Sequence, residues 1–139
     1  MVYESFSENE TYDFAYNMAQ KANKGDIYAL IGDLGVGKTA FTKGFAKGLG
    51  IQEPIVSPTF AFVHEYDEGR MPLYHFDVYR IGDVSEMDEI GYEDYFFGDG
   101  VSIMEWADLV EDILPDNVTF ITITKELSKG VEYRKITVE

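Results

Sequence analysis

Hydrophobic and polar residues recur along the chain in two patterns, and each pattern predicts a different kind of element. After Ser7, apolar residues return every three or four positions as far as Lys24, which is typical of an amphipathic helix. Ser7 is its predicted N-cap, Glu10 completes a predicted capping box, and Gly25 is expected to end the helix. The same spacing predicts a second helix over Lys38–Leu49, although its internal Gly44 and Gly48 have low helix propensity and weaken that helix.

Short apolar or alternating runs predict strands between these helices. The run Asp26–Ile31 is almost entirely apolar, which favours a central buried strand. The other predicted strands are Val2–Phe6, Phe60–Tyr66, Leu73–Ile81, Val101–Trp106, Val118–Thr124 and Tyr133–Val138. The polar turn "DEGRM" predicts that Phe60–Tyr66 and Leu73–Ile81 form a hairpin. Tyr133–Val138 is the predicted partner of Val118–Thr124.

Two further segments predict short helices. The acidic segment Asp83–Phe97 is expected to hold one or two, broken near Gly91, and Ala107–Leu114 another that stops at Pro115. The mixture of strands and helices predicts an α/β fold. A length of 139 residues predicts a single domain over 1–139.

Composition narrows the class of protein. Charged residues make up 27% of the chain, and no apolar run approaches the roughly 20 residues that span a bilayer. The first residues lack the charged-then-apolar layout of a signal peptide. The absence of cysteine excludes disulfides, thiolate metal sites and a cysteine nucleophile. We therefore expect a cytoplasmic protein with no membrane partner.

The net charge of −15 bears on the choice of partner. Acidic residues are spread along the chain, and such a surface repels nucleic acid, whose binding depends on neutralising phosphates. A direct, high-affinity nucleic-acid interface is not expected. A basic protein or a metal–nucleotide complex fits better.

The segment "GDLGVGKTA" matches the phosphate-binding pattern G-x-x-x-x-G-K-[ST] and lies between a predicted strand and a predicted helix. Glycines allow backbone amides to crowd around an anion, and the following helix directs its positive end at the same place. Lys38 is expected to reach the phosphates and Thr39 to bind magnesium. The predicted nucleotide-binding residues are Gly32, Asp33, Leu34, Gly35, Val36, Gly37, Lys38, Thr39 and Ala40. The motif therefore predicts a single P-loop NTPase domain.

Three downstream residues are candidates for catalysis. Glu105 ends a predicted buried strand, and α/β sheets bind ligands at such strand ends. The alternative interpretation is that Glu105 is a surface residue beside a core tryptophan. Asp77 lies among aromatic residues in a strand, and a surface pair with Arg80 is its alternative. Thr59 in "SPTF" could sense a γ-phosphate as switch threonines do.

Several other features point to competing functions. "NKGD" and "DEIG" match GTPase patterns, but both lie in the wrong structural context, so they are read as accidental. His64 and His75 have no cysteine or second histidine nearby, so a zinc site is not expected. A small-molecule P-loop kinase usually brings several arginines to the phosphates, and this chain has no arginine cluster.

The motifs "GDLGVGKT", "SPTF", "LYHFDVYR" and "MEW", in this order and at these intervals, resemble the TsaE (YjeE) family of bacterial P-loop ATPases. The resemblance covers nearly the whole chain. It implies a mixed, mostly parallel sheet with helices on both faces. Val36 and Ala40 depart from the expected alanine and threonine, and neither supplies chemistry.

The resemblance also implies a function and a set of site residues. It implies slow hydrolysis of ATP to ADP with Mg²⁺, in support of the TsaB–TsaD complex that forms threonylcarbamoyladenosine on tRNA. It assigns magnesium to Thr39 and Glu105, and catalysis to Glu105, Asp77 and Thr59. A looser match places nucleotide contacts at Glu8 and Thr11. A small-molecule kinase and a non-catalytic nucleotide-sensing module remain the alternatives.

Overall fold

Seven strands form one sheet in the computed structural model, which describes residues 1–33, 35–58 and 61–139. The strands are β1 (Val2–Ser5), β2 (Ile27–Ile31), β3 (Val63–Tyr66), β4 (Leu73–Asp77), β5 (Val101–Glu105), β6 (Thr119–Lys125) and β7 (Arg134–Val138). Their order across the sheet is β1-β7-β6-β2-β5-β4-β3. Strands β6, β2, β5 and β4 are parallel to one another, whereas the pairs at both edges are antiparallel.

Helices cover both faces of this sheet. They are α1 (Glu8–Gln20), α2 (Lys38–Gly48), α3 (Glu86–Glu89) and α4 (Tyr92–Phe96), with 3₁₀ turns over Ala107–Ile113 and Leu127–Lys129. Helices α1 and α2 pack in one hydrophobic cluster with Leu30 and Ile103. Helices α3 and α4 and the first 3₁₀ turn pack in a second cluster with Ala29 and Met104. Neighbouring residues of β2 and β5 thus point to opposite faces. The predicted α/β fold, with a mixed sheet that is parallel in the middle and helices on both faces, is confirmed.

The two glycines inside α2 let it approach α1 closely. A Cβ atom on Gly44 would collide with the carbonyl oxygen of Tyr12, and one on Gly48 would collide with that of Tyr16. The sequence suggested that these glycines weaken the helix, since glycine has low helix propensity. Close packing of the helix pair is the compensation.

Helix α1 begins as predicted but ends earlier. The Ser7 hydroxyl accepts a hydrogen bond from the Glu10 amide at 3.1 Å. The returning bond of the capping box reaches the amide of Phe6, at 3.4 Å, one residue before the cap. The helix ends at Gln20, short of the expected Lys24. The Arg70 guanidinium donates to the Ala19 and Ala22 carbonyl oxygens and thereby satisfies the last turn.

The hairpin β3–β4 is confirmed as antiparallel, but both strands are shorter than predicted. Strand β4 stops at Asp77, short of the expected Ile81, because the Asp77 carboxylate accepts a hydrogen bond from the Tyr79 amide and turns the chain. The predicted strand Phe60–Tyr66 starts at Val63, with Phe60 outside the described residues. In the described part of the chain, no helix combines the length and apolar character needed to cross a membrane.

Candidate nucleotide-binding site

The segment between β2 and α2 has the backbone that a phosphate cradle requires. Gly35 and Gly37 have φ angles of 79° and 109°, a region in which side chains are strained. Gly37 is the N-cap of α2 and offers no side chain to its first turn. The first amides of an 11-residue helix therefore remain available to an anion, which the helix dipole also favours.

A cavity of about 360 Å³ lies at this helix terminus. It brings together predicted site residues from four parts of the chain. Its lining residues are Glu8, Gly35, Gly37, Lys38, Thr39, Ala40, Lys43, Ser57, Asp77, Glu105 and Trp106. The cavity therefore combines backbone amides with two lysines, two hydroxyls and three carboxylates.

Glu105 and Asp77 reach this cavity from adjacent parallel strands. The two residues are direct register partners at the ends of β5 and β4. Strand alternation places both on the face that α2 covers, because Ile103 and Leu73 belong to that cluster. The carboxyl end of a parallel sheet thus supplies the acidic wall, as α/β folds do for ligands.

The two carboxylates have different surroundings. Glu105 is buried, with 7% of its surface exposed, and its Oε2 atom lies 2.6 Å from Nε2 of His75. Asp77 is half-buried and accepts hydrogen bonds from the Ser57 hydroxyl at 2.7 Å and the Tyr79 amide at 3.1 Å. Glu105 is thus held by a buried imidazole, whereas Asp77 holds a loop.

Lys38 is folded back toward the protein. Its Nζ atom donates to the Gly32 carbonyl oxygen and lies 3.3 Å from the centroid of the Trp106 ring. Burial lowers the pKa of Lys38, and the charges of Glu105 and Asp77 oppose that shift. Trp106 has a φ of 64°, uncommon for a bulky residue, and this turn after Glu105 directs the ring over the lysine.

A smaller cavity of about 130 Å³ adjoins the first. It is lined by Glu8, Thr11, Gly35, Val36, Gly37, Ala40, Glu132 and Arg134. Arg134, from β7, donates from Nε to the Val36 carbonyl oxygen at 2.7 Å and so ties the cradle to the far edge of the sheet. Thr11 is buried, and its hydroxyl lies 2.7 Å from the Ser5 hydroxyl. Segments from α1 and β7 therefore form a wall beside the cradle.

Most of the predicted site residues line these two adjoining cavities, but not all. Gly32 and Asp33 line a separate cavity of about 630 Å³ with residues of β6. Leu34 and Thr59 lie outside the described residues. Four residues at or beside the site were not predicted from the sequence: His75, Ser57, Trp106 and Arg134. Strand alternation with Asp77 is a signal that could have found His75, but no local pattern links Arg134 to a cradle 98 positions away.

The donor set of the cavity suits a hard divalent cation. Thr39, Asp77 and Glu105 offer oxygen atoms, which Mg²⁺ prefers. Within the described residues, no group of three or more histidine, cysteine, aspartate or glutamate side chains is arranged to hold a metal ion.

Comparisons with known proteins identify the family of this chain. A family model described as "Threonylcarbamoyl adenosine biosynthesis protein TsaE" matches residues 5–136. A Bacillus subtilis (strain 168) relative, described as tRNA threonylcarbamoyladenosine biosynthesis protein TsaE, is 48% identical over 128 residues, or 92% of this chain and 78% of its own. The relative of the same description from Treponema pallidum (strain Nichols) is 39% identical over 96% of each chain.

A solved structure shares the whole fold. The crystal structure of YdiB from Bacillus subtilis superposes with a TM-score of 0.85 at 41% identity, covering 99% of this chain and 83% of that one. The resemblance seen in the four sequence motifs is therefore confirmed. The match over residues 5–136 shows that this chain belongs to the TsaE family of threonylcarbamoyl adenosine biosynthesis proteins.

Proposed function

We propose that this protein binds ATP with Mg²⁺, hydrolyses it to ADP, and thereby supports threonylcarbamoyladenosine formation on tRNA by the TsaB–TsaD complex. One observation supports the proposal most directly. The glycine cradle, Lys38 and two carboxylates line one cavity at the start of α2, in a chain of the TsaE family. Neither family membership nor the glycine cradle would by itself support a proposal of ATP hydrolysis.

The proposed roles follow from the chemistry of each group. The amides of the cradle and the first turn of α2 bind phosphate oxygens. Lys38 exchanges the Gly32 carbonyl for phosphate oxygens, a stronger partner because the bond is then between two charges. Thr39 and Glu105 would hold Mg²⁺, which when bound offsets the charge that develops on the phosphates.

Asp77 has a supporting role in this proposal. It holds the loop before Thr59 through the Ser57 hydroxyl and stands beside Glu105 in the sheet. Its carboxylate is therefore placed to orient a water molecule or to order the loop that closes over the phosphates. Either role acts on turnover more than on binding.

The proposed partners are proteins. A net charge of −15 opposes direct contact with tRNA, so the chain would act on tRNA modification through TsaB and TsaD. A partner with a basic surface complements this charge and gains from electrostatic steering.

ATP turnover with and without the purified TsaB–TsaD pair tests the proposal. We expect slow ADP release by the protein alone and a clear increase with the pair. ADP release that depends on a small-molecule acceptor, with no partner protein, would instead favour a kinase. Tight ATP binding with no turnover even beside the pair would favour a nucleotide-sensing module.

A further inference from the structure

The roles proposed above do not explain the buried contact between His75 and Glu105. The side chains are 2% and 9% exposed, and Nε2 of the ring lies 2.6 Å from Oε2 of the carboxylate. A buried carboxylate is costly unless it accepts hydrogen bonds. His75 supplies one from the neighbouring strand, 30 positions away in sequence.

The other ring nitrogen indicates how the proton is arranged. Nδ1 of His75 is buried and has no hydrogen-bond partner among the described residues. A proton on Nδ1 would be a buried donor without an acceptor, which costs more than an unused lone pair. The geometry therefore favours a proton on Nε2, which donates to Oε2 of Glu105.

The two oxygen atoms of the Glu105 carboxylate have different surroundings. Oε2 of Glu105 is bonded to the imidazole, whereas Oε1 accepts no hydrogen bond within the described part of the chain. Glu105 lines the 360 Å³ cavity beside Thr39. One oxygen is thus anchored to the sheet, and the other is left for a ligand in the cavity.

We propose that His75 is a positioning residue that fixes Glu105 by donating from Nε2 to one carboxylate oxygen, leaving the other for the metal ion or its water. The inference rests on the proposed function, because it assumes that Glu105 serves the metal–nucleotide complex. His75 is the middle residue of β4, lies opposite Ile103 of β5 and is buried. A hydrogen-bond partner of a metal-binding side chain orients that side chain and tunes its affinity for the metal.

Nuclear magnetic resonance tests the proton arrangement without any activity. The chain has two histidines, so long-range nitrogen–proton correlations of the rings are readily assigned. We expect Nε2 of His75 to carry a proton, and its resonance to change in Glu105→Ala. A ring protonated on Nδ1 alone would overturn the proposal, because Nε2 could not then donate.

Substitution of His75 tests its effect on the metal. His75→Leu should lower both the affinity for Mn²⁺, measured by electron paramagnetic resonance with a non-hydrolysable ATP analogue, and kcat, each by about 10- to 100-fold. KM for ATP should change by less than about threefold, because the cradle is untouched. His75→Gln keeps an amide donor and should recover a large part of both losses.

A matched control and a second variant keep the test decisive. His64 faces His75 on β3, and its ring contacts Tyr66. His64→Leu should leave Mn²⁺ affinity and kcat unchanged. If His75→Leu lowers the melting temperature too far for assay, His75→Asn replaces it, because the shorter amide should not reach Glu105 and should behave unlike His75→Gln.

The failures of the two proposals are distinguishable. Wild-type protein that binds ATP but hydrolyses none beside the TsaB–TsaD pair would contradict the proposed function, and the Mn²⁺ affinities would then decide the role of His75. Equal Mn²⁺ affinity in wild type, His75→Leu and His75→Gln would overturn the inference while leaving ATP turnover in place.

Discussion

The two halves of the candidate site are built in opposite ways. The phosphate cradle is one contiguous segment between β2 and α2, and it acts mostly through backbone amides and Lys38. The acidic wall consists of Asp77 and Glu105, side chains from two strands that are distant in sequence and adjacent in the sheet. This difference implies that nucleotide binding and turnover depend on separate groups, so a substitution should impair one more than the other.

The largest expected effect is in the cradle. Lys38→Ala should lower ATP affinity by about a thousandfold, because charge-assisted hydrogen bonds to two phosphates contribute about 1.5–3 kcal/mol each. Isothermal titration calorimetry measures the loss. Lys47→Ala is the matched control, since Lys47 lies on the same helix, is exposed and bonds Gln52. Unchanged affinity in Lys38→Ala would contradict the nucleotide site itself.

The second effect separates the two halves most sharply. Glu105→Gln should lower turnover by about a hundredfold or more while ATP affinity falls far less, because the carboxylate acts mainly in the transition state. The amide retains a partner for His75, so folding should be preserved. ADP release beside the partner complex and equilibrium binding of an ATP analogue give the two numbers. The control Glu89→Gln, on the exposed side of α3, should change neither turnover nor ATP affinity. If Glu105→Gln turns over at the wild-type rate, Asp77 becomes the leading candidate for the catalytic carboxylate.

A smaller effect is expected at Asp77. Asp77→Asn should lower turnover by about tenfold, because it weakens the hydrogen bond with Ser57 and removes one negative charge beside Glu105. Ser57→Ala should act in the same direction and more weakly. A double-mutant cycle should show coupling of about 0.5–3 kcal/mol if the two residues act together. Additive losses would mean that Asp77 works independently of the loop.

The smallest expected effect concerns the base. In the proposed function the cradle binds phosphates, which every nucleotide carries, so we expect a preference for one base to come from the adjoining wall of Glu8, Thr11 and Arg134. We expect ATP to compete better than GTP by about tenfold, which corresponds to about 1.4 kcal/mol. Competition binding measures the ratio. A preference for GTP would mean that the tetrapeptide "NKGD" was wrongly read as accidental.

Contiguous features were the ones that the sequence predicted well. The boundaries of β2 and α2 were close to those observed because strand, glycine turn and helix signals follow one another. Glu105 was predicted at a strand end, and it lies there. The pairing of β6 with β7 and the hairpin β3–β4 also followed from local alternation and turn residues.

Features that depend on tertiary contacts were missed. The carbonyl oxygens of Ala19 and Ala22, at the early end of α1, are satisfied by Arg70, a residue far along the chain. The contact of His75 with Glu105 requires the register between β4 and β5, which a single sequence does not fix. The glycines of α2 suggested a weaker helix because glycine has low helix propensity. Propensity takes no account of α1, which packs closely against α2 because these glycines carry no side chain.

The pairing of β1 with β7 has a consequence for the order in which the site forms. It joins residues as distant in sequence as Val2 and Thr137, and proteins that depend on such distant pairs fold slowly. The wall that faces the cradle carries Arg134 from β7 and Thr11 from the helix after β1. A nascent chain therefore displays its phosphate-binding motif on the ribosome well before that wall exists. A ligand that binds only the finished wall would stabilise the last step of folding, so under the proposed function ATP would also act as a folding ligand.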